Sequence, residues 1–157
     1  MRKFLCCLFA LSAFASSAET YVGVAGAMRL RSGGTALPRT AGVELRGGTY
    51  LSNYWAGEFA VGWLEREAAF DASFLGHWAS WELYDRYFGF SAFDPFITIG
   101  AKGWIGREGQ VGPKAGLGVF YRFDEHWSLR ADADMTLGVD SRVEPLFSLS
   151  IGVQYTF

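Results

Sequence analysis

The chain has 157 residues, 19% of them charged and 17% aromatic, with a formal net charge of −2 at pH 7. Soluble domains usually carry more charge, roughly 25% of their residues. The small acidic excess gives no basic surface of the kind that binds nucleic acid, so we expect no nucleic-acid partner. The length suits a single domain.

The first 18 residues resemble a cleavable secretory signal peptide. Two basic residues precede an apolar run that extends to about Phe14, and small residues end at Ala18, after which we expect cleavage. The apolar run is shorter than the roughly 20 residues of a spanning helix. Both cysteines lie in this segment, so residues 19–157, which we take as one domain, contain none.

From residue 20 to the last residue, apolar and polar side chains alternate with a period of two, and turn residues interrupt the alternation at regular intervals. This pattern predicts eight strands in the order 20–30, 39–51, 54–66, 69–83, 94–105, 113–123, 128–137 and 147–157. The fourth is the least regular, because Leu75 and Trp81 blur its two faces. We expect a tight turn at Ser52 and Asn53, a loop at 107–112, and an aromatic connection at 84–93.

The predicted strands have roughly 10 to 14 residues, which is close to the length of tilted strands that cross a bilayer. Strands of soluble proteins most often have about 5 or 6 residues. Each predicted strand has one apolar face and one face of small residues with isolated charges. A soluble lipocalin-like barrel would turn the apolar face inward, but its exterior would carry more charges. The sequence therefore favours an all-β fold, an eight-stranded antiparallel transmembrane β-barrel, over an aromatic soluble β domain.

Charged residues on the polar faces are expected to lie in the lumen of this barrel. They are Glu44, Arg46, Glu58, Lys102, Lys114, Arg122, Arg130, Asp132 and Asp134. A barrel of eight strands is only wide enough for side chains to fill. Acids and bases are nearly balanced, so the sequence predicts an interior packed with ion pairs, with a narrow ion path through the same residues as the alternative. The pairing depends on the stagger of the strands and stays open.

Aromatic residues near the predicted strand ends are expected to form girdles at the two membrane interfaces. They are Trp55, Trp63, Trp81, Tyr84, Tyr87, Trp104, Trp127 and Tyr155.

Segments 95–100, 112–123 and 127–132, with the aromatic ending at Tyr155 and Phe157, resemble small porin-like outer-membrane barrels of the OmpA/OmpX type. The resemblance implies a bacterial outer-membrane location, a periplasmic N-terminus and contact with outer-membrane lipid and lipopolysaccharide. It also implies that Tyr155 and Phe157 belong to the signal read by the barrel-assembly machinery, after passage with periplasmic chaperones. OmpA proteins continue into a peptidoglycan-binding domain. This sequence stops at its last strand, so we expect no cell-wall anchoring. We also expect a monomer.

An enzymatic role is the least favoured interpretation. Outer-membrane lipid A deacylases of similar size use a His-x-Ser-Asn motif, and this chain contains His126 and Ser128 two residues apart. The resemblance would place that motif at 132–136, which has neither residue type. His77 has no evident Ser partner and is expected to fill the interior. No metal-ligand spacing, phosphate loop or nucleophile elbow is present, so we expect no catalytic residue, metal or cofactor.

We therefore expect a non-enzymatic protein that supports envelope integrity or surface interactions. A narrow pore for small solutes or ions is the alternative, and a lipid A-modifying enzyme is the third. The predicted outer loops are short for a family whose binding activity usually lies in long ones.

Overall fold

The structure, a computed structural model, describes residues 19–31, 39–65, 67–77, 92–106, 109–138 and 145–157. The predicted signal peptide, most of the aromatic connection at 84–93, and Trp81, Tyr84 and Tyr87 lie outside these ranges. Eight strands span the described part of the chain. They are β1 (Thr20–Arg31), β2 (Arg39–Ser52), β3 (Trp55–Leu64), β4 (Glu67–His77), β5 (Phe93–Ile105), β6 (Gln110–Arg122), β7 (Trp127–Leu137) and β8 (Pro145–Thr156).

The strands form a closed barrel in which each strand pairs antiparallel with its neighbours in sequence. The ring closes between β1 and β8, where the register runs from Tyr21 opposite Thr156 to Arg31 opposite Leu146. Closure pairs the backbone groups of both edge strands, which is the condition for placing a sheet in a bilayer. The predicted eight-stranded antiparallel barrel is confirmed. Among the described residues, no helix is both long and apolar enough to span a membrane.

Several element boundaries differ from the prediction. β3 ends at Leu64 rather than at residue 66, and β4 is described from Glu67 to His77, whereas the rest of its predicted extent, 78–83, lies outside the described residues. β6 begins at Gln110, so part of the predicted loop at 107–112 belongs to a strand. Glycines in that segment are typical of turns, but pairing with β5 overrides the local preference. The β2–β3 turn lies one residue later than predicted, at Asn53 and Tyr54.

The two faces of the strands separate as the alternation predicts. Large apolar side chains such as Val24, Phe59, Ile99, Leu117 and Ile151 are exposed on the outer face. Intervening positions on the strands point into the lumen, and most of them are small, polar or charged. An apolar exterior around a charged interior is the arrangement of a barrel in lipid and the reverse of a soluble barrel.

We call the end of the barrel where β1 begins and β8 ends the terminal mouth, and the opposite end the far mouth. The terminal mouth is lined by an apolar cluster of buried residues. Its members are Tyr21, Ala56, Leu75, Phe96 and Phe120, with Tyr50 packed against them. The sequence had led us to expect a wholly polar interior, and this apolar cluster shows that the interior is only partly polar. Leu75, which blurs the pattern of β4, is fully buried in this cluster.

Glycines opposite the aromatic rings make room for this cluster. A Cβ on Gly48 would overlap the ring of Tyr21, and a Cβ on Gly118 would overlap the ring of Phe96. Each ring thus lies directly over a glycine of a neighbouring strand. This close approach explains how large rings fit inside a barrel of only eight strands.

Candidate functional site

The central layer of the lumen is an ion pair between Glu58 of β3 and Arg130 of β7. The Arg130 guanidinium donates to both carboxylate oxygens, with Nη2 3.1 Å from Oε1. The Tyr21 hydroxyl donates to Glu58 Oε2 at 2.9 Å. The rings of Phe96 and Phe120 lie 4.8 and 5.2 Å from the guanidinium carbon. Hydrogen bonds, a second charge and two aromatic faces thus compensate the burial of this cation.

A second ion pair connects this layer to strand β2. Arg46 of β2 donates to Asp132 of β7, with Nη1 2.7 Å from Oδ2. Asp132 also accepts from Arg130 at 3.1 Å, so one carboxylate links two guanidinium groups. Ser150 accepts from Arg46 at 2.5 Å, and the Arg46 Nε lies 3.4 Å from a Glu44 oxygen. The four strands β2, β3, β7 and β8 are thereby tied together through the lumen.

A ring of four alternating charges lies between this layer and the far mouth. Lys114 is 2.5 Å from Asp71, and Lys102 is 3.2 Å from Asp134. The two remaining lysine–carboxylate distances in the ring are both 4.0 Å. Ser73 donates to Asp71. Every member of the ring is buried, which requires this degree of compensation because an unpaired buried charge costs several kcal/mol.

The terminal mouth carries a third cluster, beside the aromatic residues. Asp94 Oδ2 lies 2.9 Å from His77 Nδ1 and 3.2 Å from an Arg122 guanidinium nitrogen. His77 stacks on Phe120, with ring centroids 5.9 Å apart, and its Nε2 has no hydrogen-bond partner among the described residues. The sequence prediction that His77 fills the interior thus matches its place, but the carboxylate partner was not foreseen.

The structure places eight of the nine predicted lumen charges in buried positions: Glu44, Arg46, Glu58, Lys102, Lys114, Arg130, Asp132 and Asp134. Arg122, the ninth, points inward at the terminal mouth but keeps 34% of its side chain exposed. Sequence reasoning left two further buried carboxylates, Asp71 and Asp94, out of this set. Asp71 is separated from Ser73 and His77 by even numbers of residues on β4. This spacing places it on the same inward face, so its position in the lumen could have been predicted.

The prediction of an interfacial girdle is wrong for Trp104. Its side chain is 2% exposed and points into the far mouth, where it packs with Leu64, Ala69 and Leu146. Trp104 lies two residues after inward Lys102 and therefore on the same face of β5, so strand parity outweighs its position near a strand end. Its ring lies 5.4 Å from the Arg29 guanidinium carbon, and Arg29 pairs with Glu67 at 2.6 Å.

Trp55, Trp63 and Trp127 are exposed on the outer face, near the strand ends. Trp127 contacts Tyr155 edge to face, with ring centroids 5.0 Å apart. Tyr155 in turn contacts Phe157, at 5.1 Å. The outer surface at the terminal mouth therefore carries a continuous group of aromatic rings, as expected of residues at a membrane interface.

The His126 and Ser128 side chains do not form a catalytic pair. The His126 ring stacks on Tyr155 with a centroid distance of 5.5 Å, and the imidazole is exposed. Ser128 is buried in the lumen, on the opposite face of the strand. Within the described ranges, no three His, Cys, Asp or Glu side chains converge in a way that could hold a metal ion.

Asp124 shapes the turn between β6 and β7 at the terminal mouth. Its Oδ1 accepts hydrogen bonds from the backbone N–H groups of Trp127 at 2.7 Å and His126 at 2.8 Å. These two donors stabilise the charged carboxylate and lower the pKa of Asp124 below its ordinary value.

No family model and no curated protein matches the chain at a significant level. Solved structures do match. The N-terminal β-barrel domain of Pseudomonas aeruginosa OprF superposes with a TM-score of 0.63 at 14% identity, over 90% of this chain and 100% of that one. The outer-membrane protein OprG of the same organism gives 0.64 at 10% identity, over 89% and 96%. Neisserial surface protein A gives 0.57 at 13% identity, over 90% and 98%.

The chain has the fold of the small outer-membrane β-barrels. At these levels of identity the likeness concerns the fold alone. Small outer-membrane barrels of eight strands have an interior just wide enough for side chains to fill. In this chain the filling consists of two layers of charged groups between the mouths and a third charged cluster at the terminal mouth, and both mouths are lined partly by apolar residues.

Proposed function

We propose that this protein is a non-enzymatic barrel of the bacterial outer membrane that supports the envelope or its surface contacts and conducts no solutes. The observation that carries the proposal is the pair between Glu58 and Arg130. Strands β3 and β7 are four positions apart in a ring of eight, so these side chains meet across the whole width of the lumen. A path for water or ions would have to break this pair or pass around it.

The outer-membrane location is supported by three independent features. The fold is that of small outer-membrane barrels, the outward face is apolar, and the N-terminal segment has the composition of a cleavable signal ending at Ala18. The orientation of such barrels would place the terminal mouth in the periplasm. Cell fractionation with an antibody to residues 19–157 tests the location, and recovery in the cytoplasm would contradict it.

The proposed partners are outer-membrane lipid and lipopolysaccharide around the barrel, and chaperones and the barrel-assembly machinery in transit. Tyr155 and Phe157 are the proposed recognition residues for assembly. Phe157 is 66% exposed, and its N–H donates to the Thr20 carbonyl at 2.9 Å across the β1–β8 closure. We propose no nucleic-acid partner and a monomeric state.

Solute uptake by proteoliposomes tests the proposal against its alternative. Liposomes that contain the refolded protein should exclude small sugars and amino acids as well as protein-free liposomes do. Swelling at a rate that depends on solute size would contradict the proposal and favour the narrow pore. Mass spectrometry of lipid A from cells with and without the protein covers the enzymatic alternative, and a changed acyl pattern would contradict a non-enzymatic role.

A further inference from the structure

Asp94 at the terminal mouth holds two positively chargeable partners on one oxygen atom. Its Oδ2 lies 2.9 Å from His77 Nδ1 and 3.2 Å from an Arg122 guanidinium nitrogen. The other oxygen, Oδ1, is buried and has no hydrogen-bond partner among the described residues. The two partners therefore share one acceptor atom.

The charge of this cluster depends on one imidazole. With His77 neutral, Asp94 and Arg122 balance each other. Protonation of His77 adds a second cation beside a single carboxylate, in a site where its side chain is 3% exposed. A buried excess charge is strongly unfavourable, so the cluster must rearrange when the imidazole takes up a proton.

The residues packed around His77 offer no other carboxylate. Tyr50 of β2 lies 5.5 Å away between ring centroids, and Phe120 of β6 stacks on the imidazole. Arg130 of β7 also contacts the Phe120 ring, and its charge is balanced by its pairs with Glu58 and Asp132. Within the described ranges, Asp94 is thus the acceptor that a charged His77 retains.

Arg122 is the member of the cluster that can leave. Its side chain is 34% exposed, whereas that of Asp94 is 8% exposed. A small cavity of about 30 Å³ at the rim of the terminal mouth is lined by Arg122 together with the carboxylates of Glu19, Asp124 and Glu125 and the imidazole of His126. These three carboxylates give the guanidinium a second, solvated position of opposite charge.

We propose that Arg122 is a proton-operated latch of the terminal mouth: protonation of His77 displaces its guanidinium from Asp94 to the acidic rim of Glu19, Asp124 and Glu125. Asp94 then pairs with the charged imidazole alone. The Glu58–Arg130 layer lies deeper in the lumen and stays intact. The displacement of Arg122 therefore alters the terminal mouth and leaves the ion pair across the lumen in place. The inference goes beyond the proposed function and does not depend on it.

Nuclear magnetic resonance of the refolded full domain tests the latch directly. Histidine is the side chain that ordinarily titrates between about pH 5 and about pH 8. The order parameter of the Arg122 Nε–H bond should fall as the pH is lowered, with the same midpoint as the chemical-shift change of the His77 ring. An unchanged order parameter, or a midpoint that follows the His126 ring, would overturn the proposal.

Three variants provide further tests of the proposed displacement of Arg122. In His77→Gln the acid-induced fall should disappear, and in Asp94→Asn the Arg122 side chain should be mobile at both ends of the pH range. His126→Gln is the matched control, because it removes the other histidine of the chain, at the same mouth, and should behave as the wild type does. The same fall in His77→Gln as in the wild type would overturn the latch. If that variant does not fold, the comparison of midpoints in the wild type decides.

Discussion

Glu58 and Arg130 lie 72 positions apart in the chain and form a two-point ion pair across the full width of the barrel. Around them, Tyr21 donates to the carboxylate and Asp132 accepts from the guanidinium. Tertiary pairing between opposite walls thus crosses the lumen, and the proposed function assigns to this layer both the stability of the barrel and its lack of permeability.

Removing one member of this pair should cost more than removing both. Glu58→Ala leaves the Arg130 guanidinium buried with part of its compensation lost, so we expect the free energy of unfolding to fall by about 3 kcal/mol or more. Replacing both residues, as in the Glu58→Leu, Arg130→Met variant, should recover most of that loss. Urea unfolding, followed by loss of the compact band in unheated gels, measures the effect.

Glu125→Gln in the exposed β6–β7 turn is the control for that series and should leave the unfolding midpoint unchanged. Equal losses in Glu58→Ala and in the double variant would show that the pair itself, and not the orphaned charge, determines the cost.

Two glycines on opposite faces of the wall should respond differently to alanine. A Cβ at Gly42 would overlap the backbone carbonyl oxygen of Trp63, which cannot move aside without disturbing the β2–β3 pairing. Gly42→Ala should therefore destabilise the barrel by about 1–3 kcal/mol. Gly26→Ala faces outward, where the nearest atom would be the Ile151 carbonyl oxygen at 3.9 Å. Its unfolding midpoint should match the wild type, and a loss as large as that of Gly42→Ala would contradict the register described here.

Lipid contact should distinguish the tryptophans of the two faces. Trp63 is 62% exposed on the outer surface, and Trp104 is 2% exposed inside the far mouth. Brominated lipid chains should therefore quench the Trp63 fluorescence and leave that of Trp104 almost unaffected. In practice Trp63→Phe should reduce the quenched fraction, whereas Trp104→Phe should raise it. The opposite result would mean that the apolar face does not contact lipid.

The charged Asp124 carboxylate should stabilise the β6–β7 turn at neutral pH. Because the folded turn lowers the pKa of Asp124, its contribution is complete above the unfolded value of about 3.9 and is lost as the pH falls through the folded value. Asp124→Ala should thus speed hydrogen exchange at the His126 and Trp127 amides at neutral pH, and wild type and variant should converge in acid. Equal protection at neutral pH would contradict this role.

The faces of the strands could be read from the sequence, because the side-chain period of two is a property of any strand. It places Glu58, Lys102 and Asp132 inside without knowledge of their partners. The pairing could not be read, because it depends on the stagger between strands that are distant in sequence. Glu58 meets Arg130 and Arg46 meets Asp132 only once the barrel has closed.

The positions of several aromatic residues could not be predicted from the local sequence. Trp104 near a strand end has the sequence features of an interfacial residue, yet its parity puts it inside. Tyr21 and Phe96 fit into the terminal mouth because Gly48 and Gly118 on neighbouring strands leave room for their rings, a relationship between strands that no single segment contains. The composition of a lumen is therefore easier to predict than its packing.

Single-channel recording on the refolded domain in planar bilayers tests the closed lumen most directly. The wild type should show no steady conductance at any applied voltage that the bilayer tolerates. A variant with alanine at Arg46, Glu58 and Arg130 should conduct, provided that it keeps the heat-sensitive gel mobility of a folded barrel. Steady conductance by the folded wild type, equal to that of this variant, would contradict the account.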